Sequence, residues 1–154
     1  MPDYGETLRR IEAAIDRETE ATGAMETTVR LLKEALPDYS WVGIYLLFSN
    51  ELVLGPYVGK PSPHTRIPLG RGICGAAASE KATIVVDDVT ADPRYLACSV
   101  DTRSEIVVPI MHEGEVLGEL DVDSDRPAAF GDRDRQLLER LAAVLAPRLA
   151  AIPR

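Results

Sequence analysis

Twice in this chain an apolar, β-prone run is followed by a two-residue turn and a second such run, and this pattern limits the fold more than any other feature. Trp41–Phe48 (WVGIYLLF) leads through Ser49-Asn50 into Glu51–Val58, and Glu105–Met111 leads through Glu113-Gly114 into Glu115–Asp123. Turns this short join antiparallel neighbours. The other segments arrange themselves around the two hairpins. Leu8, Ile11 and Ile15 recur at helical spacing in Tyr4–Ala21, which Gly23 is expected to interrupt, and Met25–Leu36 forms a second helix stopped by Pro37. Gly59–Thr65 is a loop, Arg66–Leu69 is short and extended, Gly70–Lys81 turns into an Ala-rich helix, and Thr83–Val86 is a short strand. Asp87–Arg103 is a long polar segment, the length at which loops tend to bind something. Asp132–Leu149 is the last helix, with a wide apolar stripe and a proline, Pro147, expected to kink it or end it early.

This order predicts an α+β domain: a central antiparallel sheet of about six strands, with helices packed on one face and a ligand pocket on the other. With 154 residues and no repeat or linker, one domain is expected: helices in residues 1–37, sheet and pocket segments in 41–124, a C-terminal helix in 131–150. A net charge of −8 argues against nucleic acid and anionic membranes as partners, and no apolar run approaches the ~18 residues of a membrane span. The charged, periodic N-terminus reads as helix rather than secretory leader, so the expected compartment is the cytoplasm.

A cytoplasmic setting sharpens the question of the two cysteines. They are either two small buried residues or a pair that cycles between dithiol and disulfide; without histidines at short spacing they do not suggest zinc. Cys98 lies in a polar loop within Tyr95–Ile110 (YLACSVDTRSEIVVPI), and Glu105 opens the apolar run that follows. Cys74 follows a glycine turn at the start of a helix, where free N–H groups favour a thiolate. Gly70, Gly72 and Gly75 imitate a phosphate loop only weakly, because the lysine and the βαβ context are missing. Asp121 and Asp123 share one strand face, turned either to solvent or to a pocket. Trp41 and Tyr45 share a face as well, as core or as pocket wall.

The pieces WVGIYLL, LVLGPYVGK, RIPLGRGICG, the ACS of Ala97–Ser99, SEIVVPI and GELDVDS resemble a GAF domain. The cysteine pair with the carboxylates that follow it is closer to the family of free methionine-(R)-sulfoxide reductases, which use that fold as an enzyme. The resemblance runs from about Trp41 to the final helix. It implies an oxidoreductase without a cofactor, acting on free methionine (R)-sulfoxide. Cys98 would be the nucleophile, Cys74 its partner in a redox disulfide, and Glu105 and Asp123 catalytic acids; Trp41, Tyr45 and Asp121 would hold the substrate. It further implies recycling by a thioredoxin-like protein and a homodimer. Many members carry a third cysteine before the RIP strand, where this chain has His64. The alternatives are a small-molecule-sensing module without catalysis and a thiol redox switch.

Overall fold

A computed structural model describes residues 2–96 and 100–153. Both hairpins form as expected: β1 (Trp41–Phe48) with β2 (Glu51–Val58), and β5 (Ser104–His112) with β6 (Glu115–Ser124). Ser49 and Asn50 have φ of 49° and 66°, and Glu113 and Gly114 have φ of 51° and 80°. Two successive positive φ values give the turn whose twist matches that of the strands it joins. With β3 (Arg66–Pro68) and β4 (Ile84–Val86) the strands form one sheet in the order β3-β2-β1-β6-β5-β4. Every neighbouring pair is antiparallel.

Strand alternation then divides the side chains. Val42, Ile44, Ile106, Val108, Ile110, Leu120 and Val122 turn to one face, where α1 (Tyr4–Asp16), α2 (Ala21–Ala35) and α4 (Asp132–Ala150) bury their apolar stripes against them. Trp41, Tyr45 and Val107 turn to the other face and meet α3 (Gly72–Glu80) through Ile73, Cys74, Ala77 and Ala78. Three helices therefore cover the main core, and the short α3 roofs part of the pocket side. Among the described residues no helix is long and apolar enough to cross a membrane.

The helix boundaries depart from expectation in two places. The break between α1 and α2 falls at residues 17–20, and Gly23 lies inside the first turn of α2. The Glu18 carboxylate folds back over this turn, 2.5 Å from where a Cβ on residue 23 would stand, and accepts from Thr27 Oγ1 at 3.2 Å. Pro147 does not end α4, which continues to Ala150. Its ring costs one late helical hydrogen bond, while Leu145 and Leu149 on either side of it are fully buried. The neighbouring Arg148 donates to the carbonyls of Ile15 and Glu18 at 3.0 and 2.6 Å, satisfying the end of α1.

The start of α4 is fastened by Asp134, which accepts from the Gly131 N–H at 2.9 Å and from the hydroxyls of Tyr4 and Tyr39 at 3.0 and 2.8 Å. Tyr39 is buried, so removing the carboxylate loses the helix cap and strands a hydroxyl. Asp134→Ala is expected to cost about 3 kcal/mol in urea unfolding, the sum of a cap and an unsatisfied buried donor. A loss under about 0.5 kcal/mol would show that the tyrosines find other partners.

Candidate active site

The pocket face of the central strands carries acids in register. Across β1, β6 and β5, Trp41 pairs with Asp123 and Asp123 with Glu105; Gly43 pairs with Asp121 and Asp121 with Val107; Tyr45 pairs with Glu119 and Glu119 with Pro109. Glu119, Asp121, Asp123 and Glu105 thus stand together on one face, and all four are buried. Asp121 and Asp123, open between solvent and pocket on sequence grounds, face inward. Glu119 was not singled out by sequence reasoning, although its place two residues before Asp121 puts it on the same face by alternation.

α3 brings Cys74 onto this cluster. Its thiol donates to Asp121 Oδ2 at 3.4 Å, and donor atoms of Cys74, Glu105 and Asp121 all lie within 4.8 Å of one another. The expectation that the helix N-terminus favours a Cys74 thiolate is overturned. Burial, followed by the charges of Asp121, Glu119 and Glu105, pushes the thiol well above its ordinary pKa. Among the described residues Cys74 is a free thiol, and the direction of its shift favours the protonated form.

The acids are likewise held toward their neutral forms. Burial comes first for Glu105, reinforced by the charges of Asp121 and Asp123 and by its hydrogen bonds to them, and raises it far above the usual carboxylate range. Asp123 is raised well above that range by burial and then by Asp121. Burial also raises Asp121, but hydrogen bonds from Glu105 and Cys74 oppose the shift. The hydrogen bond that Glu105 and Asp121 share pushes the two in opposite senses, because it favours the charged form of the residue that receives it, within a group that titrates together.

Glu119 is raised by burial and by the Asp121 charge. Neither of its oxygens, nor Oδ1 of Asp121 or Asp123, has a hydrogen-bond partner among the described residues. A carboxyl whose folded-state pKa lies above its unfolded value keeps a proton that the unfolded chain gives up. Its effect on stability is therefore most favourable in acid and is lost as pH rises from the ordinary carboxylate range toward the raised value. Glu119→Gln removes this penalty and is expected to stabilise the fold at pH 8. Urea unfolding at pH 5 and pH 8 checks the sign: the gain should shrink toward the lower pH, and an equal gain at both would remove protonation as its cause.

Two openings flank the Glu105–Asp123 pair. A cleft of about 420 Å³ is lined by Trp41, Lys60, Thr102, Asp123 and Asp125, and one of about 250 Å³ by Tyr45, His64, Cys74, Glu105 and Asp121. The aromatic residues hold the wall of these clefts. The Trp41 indole lies over Gly43, where a Cβ would come within 2.2 Å of the ring, and stacks on Tyr57 with centroids 5.6 Å apart. Its N–H donates to the Lys60 carbonyl at 3.0 Å, and Tyr45 Oη donates to the His64 carbonyl at 2.8 Å, so both pin the loop of residues 59–65 beside the acids. Lys60 Nζ reaches Asp101 at 2.8 Å. Glu105, Asp121, Asp123, Cys74, Trp41 and Tyr45 are brought together as a group. Cys98 lies outside the described residues; Leu96 lines the smaller cleft and packs over Gly72.

The sequence matches the family model of the GAF domain over residues 20–149. It is 38% identical over 147 residues to the free methionine-R-sulfoxide reductase of Escherichia coli, covering 96% of this chain and 88% of that protein. The structure is similar to that of free methionine-R-sulfoxide reductase from Neisseria meningitidis in complex with its substrate, with a TM-score of 0.91, 44% identity, and 96% and 89% of the two chains covered. It is similar also to the type II free methionine-R-sulfoxide reductase of Thermoplasma acidophilum, with a TM-score of 0.82, 41% identity, and 84% and 92% covered. The chain belongs to the GAF-domain family and is closely related to its free methionine-R-sulfoxide reductases.

Proposed function

We propose that this chain reduces free methionine (R)-sulfoxide to methionine by thiol chemistry. The observation that carries the reading is the buried cluster of Glu105, Asp121, Asp123 and Cys74, in which burial and mutual charge keep a carboxyl protonated beside an open cleft. Sulfoxide reduction requires such a proton, because the oxygen must be protonated as sulfur is attacked. The reductases among the relatives support the substrate.

In this reading the Cys98 thiolate attacks the substrate sulfur while Glu105 protonates the oxygen. That attack forms an S–S bond; the hydroxyl then passes from the substrate sulfur to the Cys98 sulfur as the S–O and S–S bonds break, so that methionine leaves and Cys98 is left as a sulfenic acid. Cys74 then attacks the Cys98 sulfur, its thiol proton passing by way of Asp121, which already accepts it, to the hydroxyl that departs as water as the disulfide forms. A thioredoxin-like dithiol protein reduces the disulfide. Asp123 and Asp125 give the larger cleft carboxyl oxygens that can accept from the ammonium group of a free amino acid, and Trp41 walls it.

The test is consumption of the (R) and (S) epimers of free methionine sulfoxide, measured separately with dithiothreitol and with thioredoxin. Loss of the (R) epimer alone is the expected result. Loss of neither epimer would refute the enzyme and leave a small-molecule sensor or a redox switch.

A further inference from the structure

We propose that Cys74, Glu105 and Asp121 also form a binding site for one borderline-soft divalent cation, with Zn²⁺ the ion their chemistry fits. One thiol and two carboxylates, contributed by α3, β5 and β6, converge from three elements that are distant in sequence. Their donor atoms lie within 4.8 Å of one another, and Cys74 Sγ stands 3.4 Å from Asp121 Oδ2. Tetrahedral zinc, with Zn–S near 2.3 Å and Zn–O near 2.1 Å, places sulfur and oxygen ligands about 3.5 Å apart, so the sulfur and its nearest oxygen already stand at the separation the ion requires.

A second observation points to a ligand. Asp121 lines the smaller cleft, is almost fully buried, and leaves Oδ1 without a hydrogen-bond partner among the described residues. Buried carboxylate oxygens in this state are costly unless a cation or proton reaches them. The donor set selects among cations: Mg²⁺ and Ca²⁺ take six or more oxygens, whereas a thiolate with two carboxylates suits zinc. Three protein ligands leave a fourth position for water from the cleft bordered by His64 and Leu96.

Binding involves no redox change. The thiol proton and the proton held between Glu105 and Asp121 leave to solvent, and three anionic ligands take up the ion. While the ion is bound, the Cys74 sulfur is coordinated and cannot join a disulfide.

The experiment titrates the reduced full chain, stripped of metal and kept free of oxygen, with Co²⁺ as a spectroscopic probe and then with Zn²⁺. The expected result is a sulfur-to-cobalt charge-transfer band that saturates at one equivalent and is bleached by one equivalent of Zn²⁺. Cys74→Ser and Cys74→Ala should both lose the band, the alanine variant guarding against a serine that fails to fold. Asp121→Asn should weaken cobalt binding at least tenfold, and Cys98→Ser should keep the band. Absence of the band in the unaltered chain, its survival without the Cys74 sulfur, or unchanged affinity in Asp121→Asn would overturn the site. Because the readout is binding, a chain inactive toward methionine sulfoxide would leave the result intact.

Discussion

Serine at position 98 is expected to abolish turnover of free methionine (R)-sulfoxide, a loss on the order of a thousandfold or more, as for other enzymes deprived of their nucleophile. Serine at position 74 should behave differently. The first half of the reaction needs only Cys98, so Cys74→Ser should release one equivalent of methionine per chain and then stop under thioredoxin. Stoichiometric trapping of a sulfenic acid by dimedone in Cys74→Ser, and its absence in Cys98→Ser, would place the oxygen on Cys98. The structure adds a reason for this order of events. Cys74 is buried and held as a thiol by surrounding acids, so it is a poor first attacker on a sulfoxide. It suits the second step, in which its target is an electrophilic sulfenic sulfur and Asp121 is already placed to take its proton. Full activity in Cys98→Ser would sink the mechanism. Unimpaired thioredoxin-driven turnover in Cys74→Ser would assign resolution to another group.

Much of this arrangement is legible in the sequence, and the failures have physical causes. The two hairpins can be read directly from alternation and a two-residue turn, but their register cannot: counted from the Glu113-Gly114 turn Glu105 would face Val122, and the irregularity between Ile110 and Met111 shifts the pairing by one residue so that Glu105 faces Asp123. Glu119 is encoded by the same alternation, yet an isolated acid next to Gly118 and Leu120 gives no sign of its depth, which depends on what covers the strand. Cys74 fails for a reason of magnitude. A helix N-terminus favours a negative group by about 0.3–1 kcal/mol at ordinary exposure. Complete burial beside three acids opposes it with more, and none of those acids is near Cys74 in sequence. Gly23 fails because a glycine that marks a break and one tolerated in the first turn of a helix look alike in one dimension.

Glu105→Gln is the second large effect expected, a fall of about 10²–10⁴ in the rate of the first half-reaction, the usual contribution of a general acid. The pH dependence carries the stronger argument. A general acid acts in its protonated form, and Glu105 is raised far above the carboxylate range by burial and by the charges of Asp121 and Asp123. Activity should therefore persist at pH values where an ordinary glutamic acid would be ionised, and should decline only as pH climbs through the raised value. Single-turnover rates isolate this limb from recycling. In Glu105→Gln the small remaining rate should lack it. In Asp123→Asn the limb should move to lower pH, because one of the charges holding the proton on Glu105 is gone; for so closely coupled a trio the limb belongs to the group rather than to one residue. A glutamine variant that is slow but keeps the limb in place would mean that Glu105 positions the substrate and that the proton comes from elsewhere in the cluster. A limb that shifts with Asp123 and vanishes with Glu105 ties the proton of the reaction to the register of β5 against β6, in which one short turn and a one-residue shift between Ile110 and Met111 set Glu105 opposite Asp123.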